Sequence, residues 1–235
     1  MSLDPIDTVG YEQRIVCFFD ILGWKEHVEK AGKDPQKIEQ LAFLPRLLTS
    51  AEVRGLNSSS SHLTSFSDCA VVSFLVSEVN ISTFIGGLSQ VFLGAAVNGF
   101  FLRAGLTIGS IRHNENMVFG PALNRAYELE SSGGFPRIII DKEVSDLASL
   151  DFVKEEGGTL FVDPFEYALL NQVANRDDTL FSLSRTELML DQAIRSLPEP
   201  VEMKKRPKSP SPLEKLEWLS LRIRRLVQRV LDQKI

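Results

Sequence analysis

Asp20 is the residue around which this chain could do chemistry. Five apolar residues, 15–19, run into it; Gly23 follows three positions later and Trp24 comes next. A second carboxylate, Asp68, stands with Ser67 between two strand-like runs, 62–66 and 70–76. The first pattern is a buried strand that ends in an acid and turns through a tight glycine loop. The second is a hairpin with an acid at its turn. Two carboxylates brought to adjacent strands can hold one or two divalent cations, about 3.5–4 Å apart when paired, which bridge phosphates and activate an attacking oxygen. A glycine turn that feeds a helix N-terminus suits the phosphates themselves. The plainer alternatives are that Asp20 caps the next helix and that Asp68 is an ordinary turn former.

Several elements must position these residues. Residues 14–19 read as a strand and 24–31 as a short helix. Residues 37–53 carry a helical period that Pro45 interrupts, and 55–61 form a polar loop. Residues 81–100 are apolar and too long for a strand, so they read as a buried helix. Strands are expected at 101–111, 117–119, 137–140 and 159–162, with helices at 121–130, 142–150, 180–197 and 213–232. The order β-α-α-β-β-α-β-β-α-β describes an α+β chain with a mixed sheet.

Composition limits the partners. The 235 residues are 43% hydrophobic and 24% charged, enough for one domain with a substantial core. A net charge of −5 supplies no general basic field, so no nucleic-acid partner is expected. Cys17 and Cys69 read as buried hydrophobes in a reducing compartment. The polar opening has no signal-peptide pattern and no apolar run approaches a membrane span, so a cytoplasmic protein is expected. Five prolines within 198–212 mark a linker. A catalytic domain over 1–175 and a helical extension over 176–235 follow. His27, His62 and His113 share no ligand spacing and read as surface residues; the basic side of the last helix reads as a solvated face.

Four motifs in order resemble class III nucleotidyl cyclases. Phe18-Phe19-Asp20-Ile21-Leu22-Gly23-Trp24 is similar to the Phe-x-Asp-Ile-x-Gly-Phe signature, and Ser67-Asp68 to the Gly-Asp hairpin with Ser replacing Gly. Residues 102–109 (LRAGLTIG) are similar to the Leu-Arg-x-Gly-Ile-x-x-Gly strand, and 119–126 (FGPALNRA) to the Trp-Gly-x-x-Val-Asn-x-Ala helix start. The resemblance implies a ferredoxin-like β-α-β-β-α-β palm, working as a homodimer with active sites at the interface. It implies two Mg²⁺ or Mn²⁺ ions on Asp20 and Asp68, with the Ile21 carbonyl as a further ligand. Nucleotide contacts are implied along the turn, at Phe19, Ile21, Leu22, Gly23 and Trp24, with the amides of the last three cradling phosphate oxygens. Arg103 would meet the terminal phosphates, and Asn124 would orient the ribose in the partner's site.

Two departures carry weight. Where the family places a transition-state arginine, four residues after the asparagine, this chain has Glu128. Arg125 or Arg137 would have to replace it, and Arg125 is the one favoured. The positions that read the purine in adenylate and guanylate cyclases are Thr64 and Met117, which fit neither. A neutral Thr can hydrogen-bond a pyrimidine edge beside an adaptable Met wall. Residues 120–130, 135–141 and 157–163 resemble the pyrimidine cyclases of Pycsar antiphage systems, which make cyclic UMP or cyclic CMP for a cyclic-nucleotide-responsive effector. The expectation is therefore a cyclase acting on UTP in preference to CTP. The alternatives are an adenylate or guanylate cyclase, and an inactive cyclase fold that senses nucleotide or scaffolds a partner.

Overall fold

The computed structural model describes residues 10–48, 61–147, 153–170, 176–198 and 210–232. Its centre is β1 (Glu12–Ile21), flanked by β3 (Cys69–Leu75) on one side and β4 (Leu102–His113) on the other, both antiparallel to it. β2 (His62–Phe66) pairs with β3 at the edge. Helices α1 (Trp24–Ala31) and α2 (Pro35–Leu48) connect β1 to β2, and α3 (Ile81–Val97) connects β3 to β4. The spatial order β2-β3-β1-β4 with these crossovers is the expected ferredoxin-like palm. Pro45 falls within α2, which is not divided there; the Ser-rich stretch after it lies outside the described residues.

Beyond the palm the sheet grows. β5 (Val118–Phe119) folds back on β4, and α4 (Pro121–Gly133) leads to β6 (Ile138–Ile140), parallel to β4. A short helix α5 (Lys142–Leu147) follows. The hairpin of β7 (Val153–Glu156) and β8 (Thr159–Val162) then joins β6, giving eight strands in all among the described residues. Strand β7 was not expected, because Val153-Lys154-Glu155-Glu156 lacks an apolar alternation. It is an edge strand whose place is set by Gly157 and Gly158, both at positive φ in the hairpin turn. Helix α6 (Pro164–Leu170) was likewise not expected.

The two sheet faces differ. On one, alternate residues Ile15, Cys17 and Phe19 of β1 join Val72, Phe74, Ala104 and Leu106 in the main core under α3, against Phe84, Ile85, Leu88 and Phe92. On the other, Val16, Val71 and Ile111 pack under Ala122 and Ala126 of α4. Gly105 makes that contact possible: a Cβ there would sit 2.0 Å from the Ala126 carbonyl oxygen.

Helices α7 (Arg176–Arg195) and α8 (Pro212–Asp232) build a second core of Leu183, Leu190, Leu216, Leu219 and Ile223 with Ala96, Phe101 and Phe165 of the palm side. Ser211 and Glu214 start α8 with reciprocal backbone bonds, a capping box. The basic side of α8 is not simply solvated. Arg222 pairs with Asp163 at 2.9 Å and lies over Trp218, and Arg229 reaches Glu166 at 2.8 Å. These acids come from the end of β8 and the start of α6, so the charges fasten the extension to the sheet.

Candidate active site

Asp20 is the last acidic position of β1 and stands opposite Cys69 on one neighbouring strand and Arg103 on the other. Asp68 is brought to it by the β2–β3 turn, whose carbonyl accepts the Ile21 N–H at 3.1 Å. The turn needs a left-handed residue and places Ser67 there, at φ 54°. Ligand atoms of Asp20, Asp68 and Cys69 all lie within 4.8 Å of one another. Burial first, then Asp68 and Asp20, push the Cys69 thiol up to about 12, which keeps it protonated. The ionisable oxygens are thus those of the two carboxylates, and a donor set of that kind fits a hard divalent cation such as Mg²⁺ or Mn²⁺.

Arg103 is held between acids. Its Nε donates to Asp20 Oδ2 at 3.1 Å and its Nη2 also contacts that oxygen. The same Nη2 is 2.8 Å from Glu130 Oε1, an ion pair not aligned as a hydrogen bond. Glu130 is only 3% exposed at the end of α4. Its burial raises the carboxyl pKa against the pull of Arg103. Lys215, in the first turn of α8, faces the same group. Burial lowers its pKa, as does Arg103, while Asp20 and Glu130 raise it. Neither Glu130 nor Lys215 was singled out in the sequence; each reaches the site through packing of a distant element.

The glycine turn is partly committed. The Leu22 N–H donates to the Phe101 carbonyl at 2.9 Å, so that amide is already used. Gly23, at φ 71°, opens α1, and the first α1 amide to find a helix acceptor is that of His27, on Gly23. The Gly23 and Trp24 amides therefore remain the turn's available donors among the described residues. The side chains of Phe19 and Ile21 are in the main core, which leaves only their backbone for a ligand, and Trp24 packs partly buried against that core. Leu22, Gly23, His27, Lys30 and Lys215 border a cavity of about 590 Å³ that is also lined by Gln192 of α7 and by Ser196 just past its end.

Asn124 is exposed on α4. Arg125 is bonded to Asp141 and near Glu128, and lines a separate groove of about 420 Å³ with Thr107 and Pro121. Within one chain the structure therefore does not bring Asn124 and Arg125 to the Asp20–Asp68 group. Arg137 is a buried structural cation, 4.3 Å over the Phe161 ring and paired with Glu156. Thr64 on β2 is half-buried, with its hydroxyl 3.0 Å from His113 Nε2. Met117 is exposed beside Val118, the residue that pairs with His113. The expectation that His113 lies on the surface is wrong: it is 3% exposed, because the β4–β5 hairpin folds it over the end of the sheet onto Ser73 and Thr64.

No family model and no curated protein sequence matches the chain. Solved structures do. The adenylyl cyclase CyaB from P. aeruginosa is similar over 65% of this chain and 92% of its own, at 14% identity and a TM-score of 0.51. A double mutant of the guanylyl cyclase domain of the RhoGC fusion protein from the aquatic fungus Blastocladiella emersonii, crystallised as a monomer, is similar over 66% of this chain and 96% of its own, at 16% identity and a TM-score of 0.50. The fold is that of adenylyl and guanylyl cyclase domains.

Proposed function

We propose that the chain is a metal-dependent nucleotide cyclase that converts a pyrimidine nucleoside triphosphate, UTP in preference to CTP, to its 3′,5′-cyclic nucleotide and pyrophosphate. The observation that carries this reading is the Asp20–Asp68 pair, set beside the Gly23 turn and Arg103 on a palm of cyclase fold. When bound, divalent cations supply the charge that acidifies the ribose 3′-hydroxyl and neutralises the triphosphate. The 3′-oxygen attacks the α-phosphorus, the bond to the bridging oxygen of the β-phosphate breaks, and the hydroxyl proton leaves to solvent. The protein's part is positioning and charge. Asp20 and Asp68 hold the cations, the Gly23 and Trp24 amides receive phosphate oxygens, and Arg103 moves from Asp20 to the terminal phosphates.

Asn124 and Arg125 then act from a second copy of the chain. Phe66 (82% exposed), two residues from Asp68, and Tyr127, whose ring meets Phe18, leave apolar surface beside the site, and Met117 and Phe119 leave more at the β4–β5 hairpin. This supports a homodimer in which each site is shared. The pyrimidine preference is supported by Thr64 and Met117, neutral residues at the base-reading positions. On this reading the cyclic product is a messenger for a separate effector, in antiphage defence.

The test is turnover of the four nucleoside triphosphates with Mn²⁺. UTP and CTP are expected to be cyclised, and Asp20→Ala to abolish turnover while leaving thermal stability close to wild type. A strong preference for ATP or GTP would remove the pyrimidine assignment. No cyclic product from any of the four, with nucleotide still bound, would favour an inactive, nucleotide-sensing fold, the reading that Glu128 supports.

A further inference from the structure

We propose that His113 is a positioning residue for base selection: by donating to the Thr64 hydroxyl it strengthens that hydroxyl as a hydrogen-bond donor toward the nucleobase. This rests on the reading of the chain as a nucleotide cyclase with Thr64 at its base-contact position. One chain of hydrogen bonds crosses four strands. Arg14 on β1 is 1% exposed, and its Nε donates to Ser73 Oγ on β3 at 2.9 Å. A guanidinium has no acceptor, so the direction of this bond is fixed. Ser73 is fully buried, and among the described residues its Oγ has two partners, Arg14 and His113 Nδ1, the latter at 2.8 Å. With Oγ accepting from Arg14, the serine proton needs an acceptor, and only Nδ1 offers one.

The other tautomer, and the imidazolium, would both set an N–H against Ser73 Oγ and leave the buried hydroxyl proton without a partner, the costly outcome for a buried donor. Burial, His62 and Arg14 also bring the His113 pKa down to about 4, so the ring is neutral near pH 7. Nδ1 therefore accepts, and Nε2–H donates to Thr64 Oγ1 at 3.0 Å. One lone pair of the threonine is then filled. Its own proton has no other acceptor among the described residues and turns to the half-exposed side of β2. Each bond in the series Arg14, Ser73, His113, Thr64 points the same way and polarises the next.

The substrate atom that Thr64 recognises is accordingly an acceptor, a carbonyl oxygen or an unprotonated ring nitrogen on the base edge. A base that presents N–H or an amino group there meets the one lone pair that His113 leaves open, with the hydroxyl proton turned aside, and is held less well. A threonine without the His113 bond would favour neither, so the bias comes from residues that never touch the nucleotide.

The test measures kcat/KM for the four nucleoside triphosphates with Mn²⁺ on the full chain. It compares wild type, Thr64→Val, Ser73→Ala, His113→Phe and the Thr64→Val/His113→Phe double variant. Each single variant is expected to cut the ratio of the preferred to the next-best nucleotide at least tenfold, chiefly through KM. Inhibition by pyrophosphate, which reports the phosphate half of the site, stays unchanged. The double variant is expected to be no less selective than the worse single one. If His113→Phe does not fold, Ser73→Ala decides, since it frees the tautomer without touching the base. Variants that slow all four nucleotides by one common factor, an unchanged ratio in Ser73→Ala, or additive losses in the double variant overturn the proposal while the cyclase reading stands. A wild type that neither binds nor turns over any of the four overturns that reading, and the proposal with it.

Discussion

At the scale of the residue, two positions carry conformational or protonation strain that can be measured. Ser67 holds a left-handed conformation at the Asp68 turn, which costs an L-residue about 1–2 kcal/mol and a glycine almost nothing. Ser67→Gly is expected to raise unfolding stability by roughly 0.5–1 kcal/mol, less than the full relief because glycine also loosens the unfolded chain. The denaturant midpoint would show it. His113 makes stability pH-dependent. Its pKa falls from an ordinary value near 6.5 to about 4 on folding. The unfolded chain therefore binds the proton first, and stability present above pH 6.5 is lost as pH falls toward 4. Midpoints measured across that range should slope less for His113→Phe than for wild type, with burial of His27 and His62 supplying part of the slope that remains; equal slopes would argue against a buried neutral ring. The carboxylate pair was legible in the sequence because Asp20 ends an apolar run and Asp68 stands at the turn between two strand-like runs, both local patterns. His113 was not, since its partners Ser73 and Thr64 are 40 and 49 residues away and only the strand order brings them close. Glu130 and Lys215 were hidden for the same reason.

At the scale of the element, the contact of α4 with β4 sets the geometry of the site. That contact depends on Gly105, where an added methyl would press on the Ala126 carbonyl, the Glu130 amide at 2.7 Å and Leu129 Cβ at 2.9 Å. Two of those neighbours are helix backbone and cannot turn aside. Gly105→Ala is expected to destabilise the fold by about 2–4 kcal/mol, near or above the usual range for overpacking, and to weaken the Arg103–Glu130 contact. Chemical denaturation tests the first effect; a loss below 0.5 kcal/mol would show that α4 rides more loosely than drawn. Strand β1, the palm helices and α4 could be read from periodicity and from the glycine and proline beside the start of α4. Strand β7 could not, because an edge strand of charged residues has no pattern of its own until β8 pairs with it.

At the scale of the whole molecule, the proposed homodimer would put the two halves of the site on different chains. Mixing Asp20→Ala with Asn124→Ala chains should therefore restore activity that neither has alone. Random pairing makes half the dimers mixed, each with one intact site, so about a quarter of wild-type turnover is expected. Zero recovery from well-folded chains that exchange subunits would place each site within one chain. Phe66→Asp should shift the chain toward monomer in sedimentation and depress turnover in parallel, with the Asp20–Asp68 group untouched.

The Arg103–Asp20 pair has a consequence for the order in which the molecule is loaded. An arginine on the carboxylate that a cation needs is a competitor for it, and a triphosphate is a competitor for the arginine. Each ligand thus removes the obstacle to the other, and by linkage the favour is mutual. On the proposed reading the resting protein is in effect its own counter-ion, and it would resist free cation until nucleotide arrives. Arg103→Ala should bind Mn²⁺ more tightly than wild type in the absence of nucleotide, yet gain less Mn²⁺ affinity when nucleotide is added. Calorimetry with and without a non-cleavable triphosphate would record both, and unchanged apo affinity would show that the pair is no barrier.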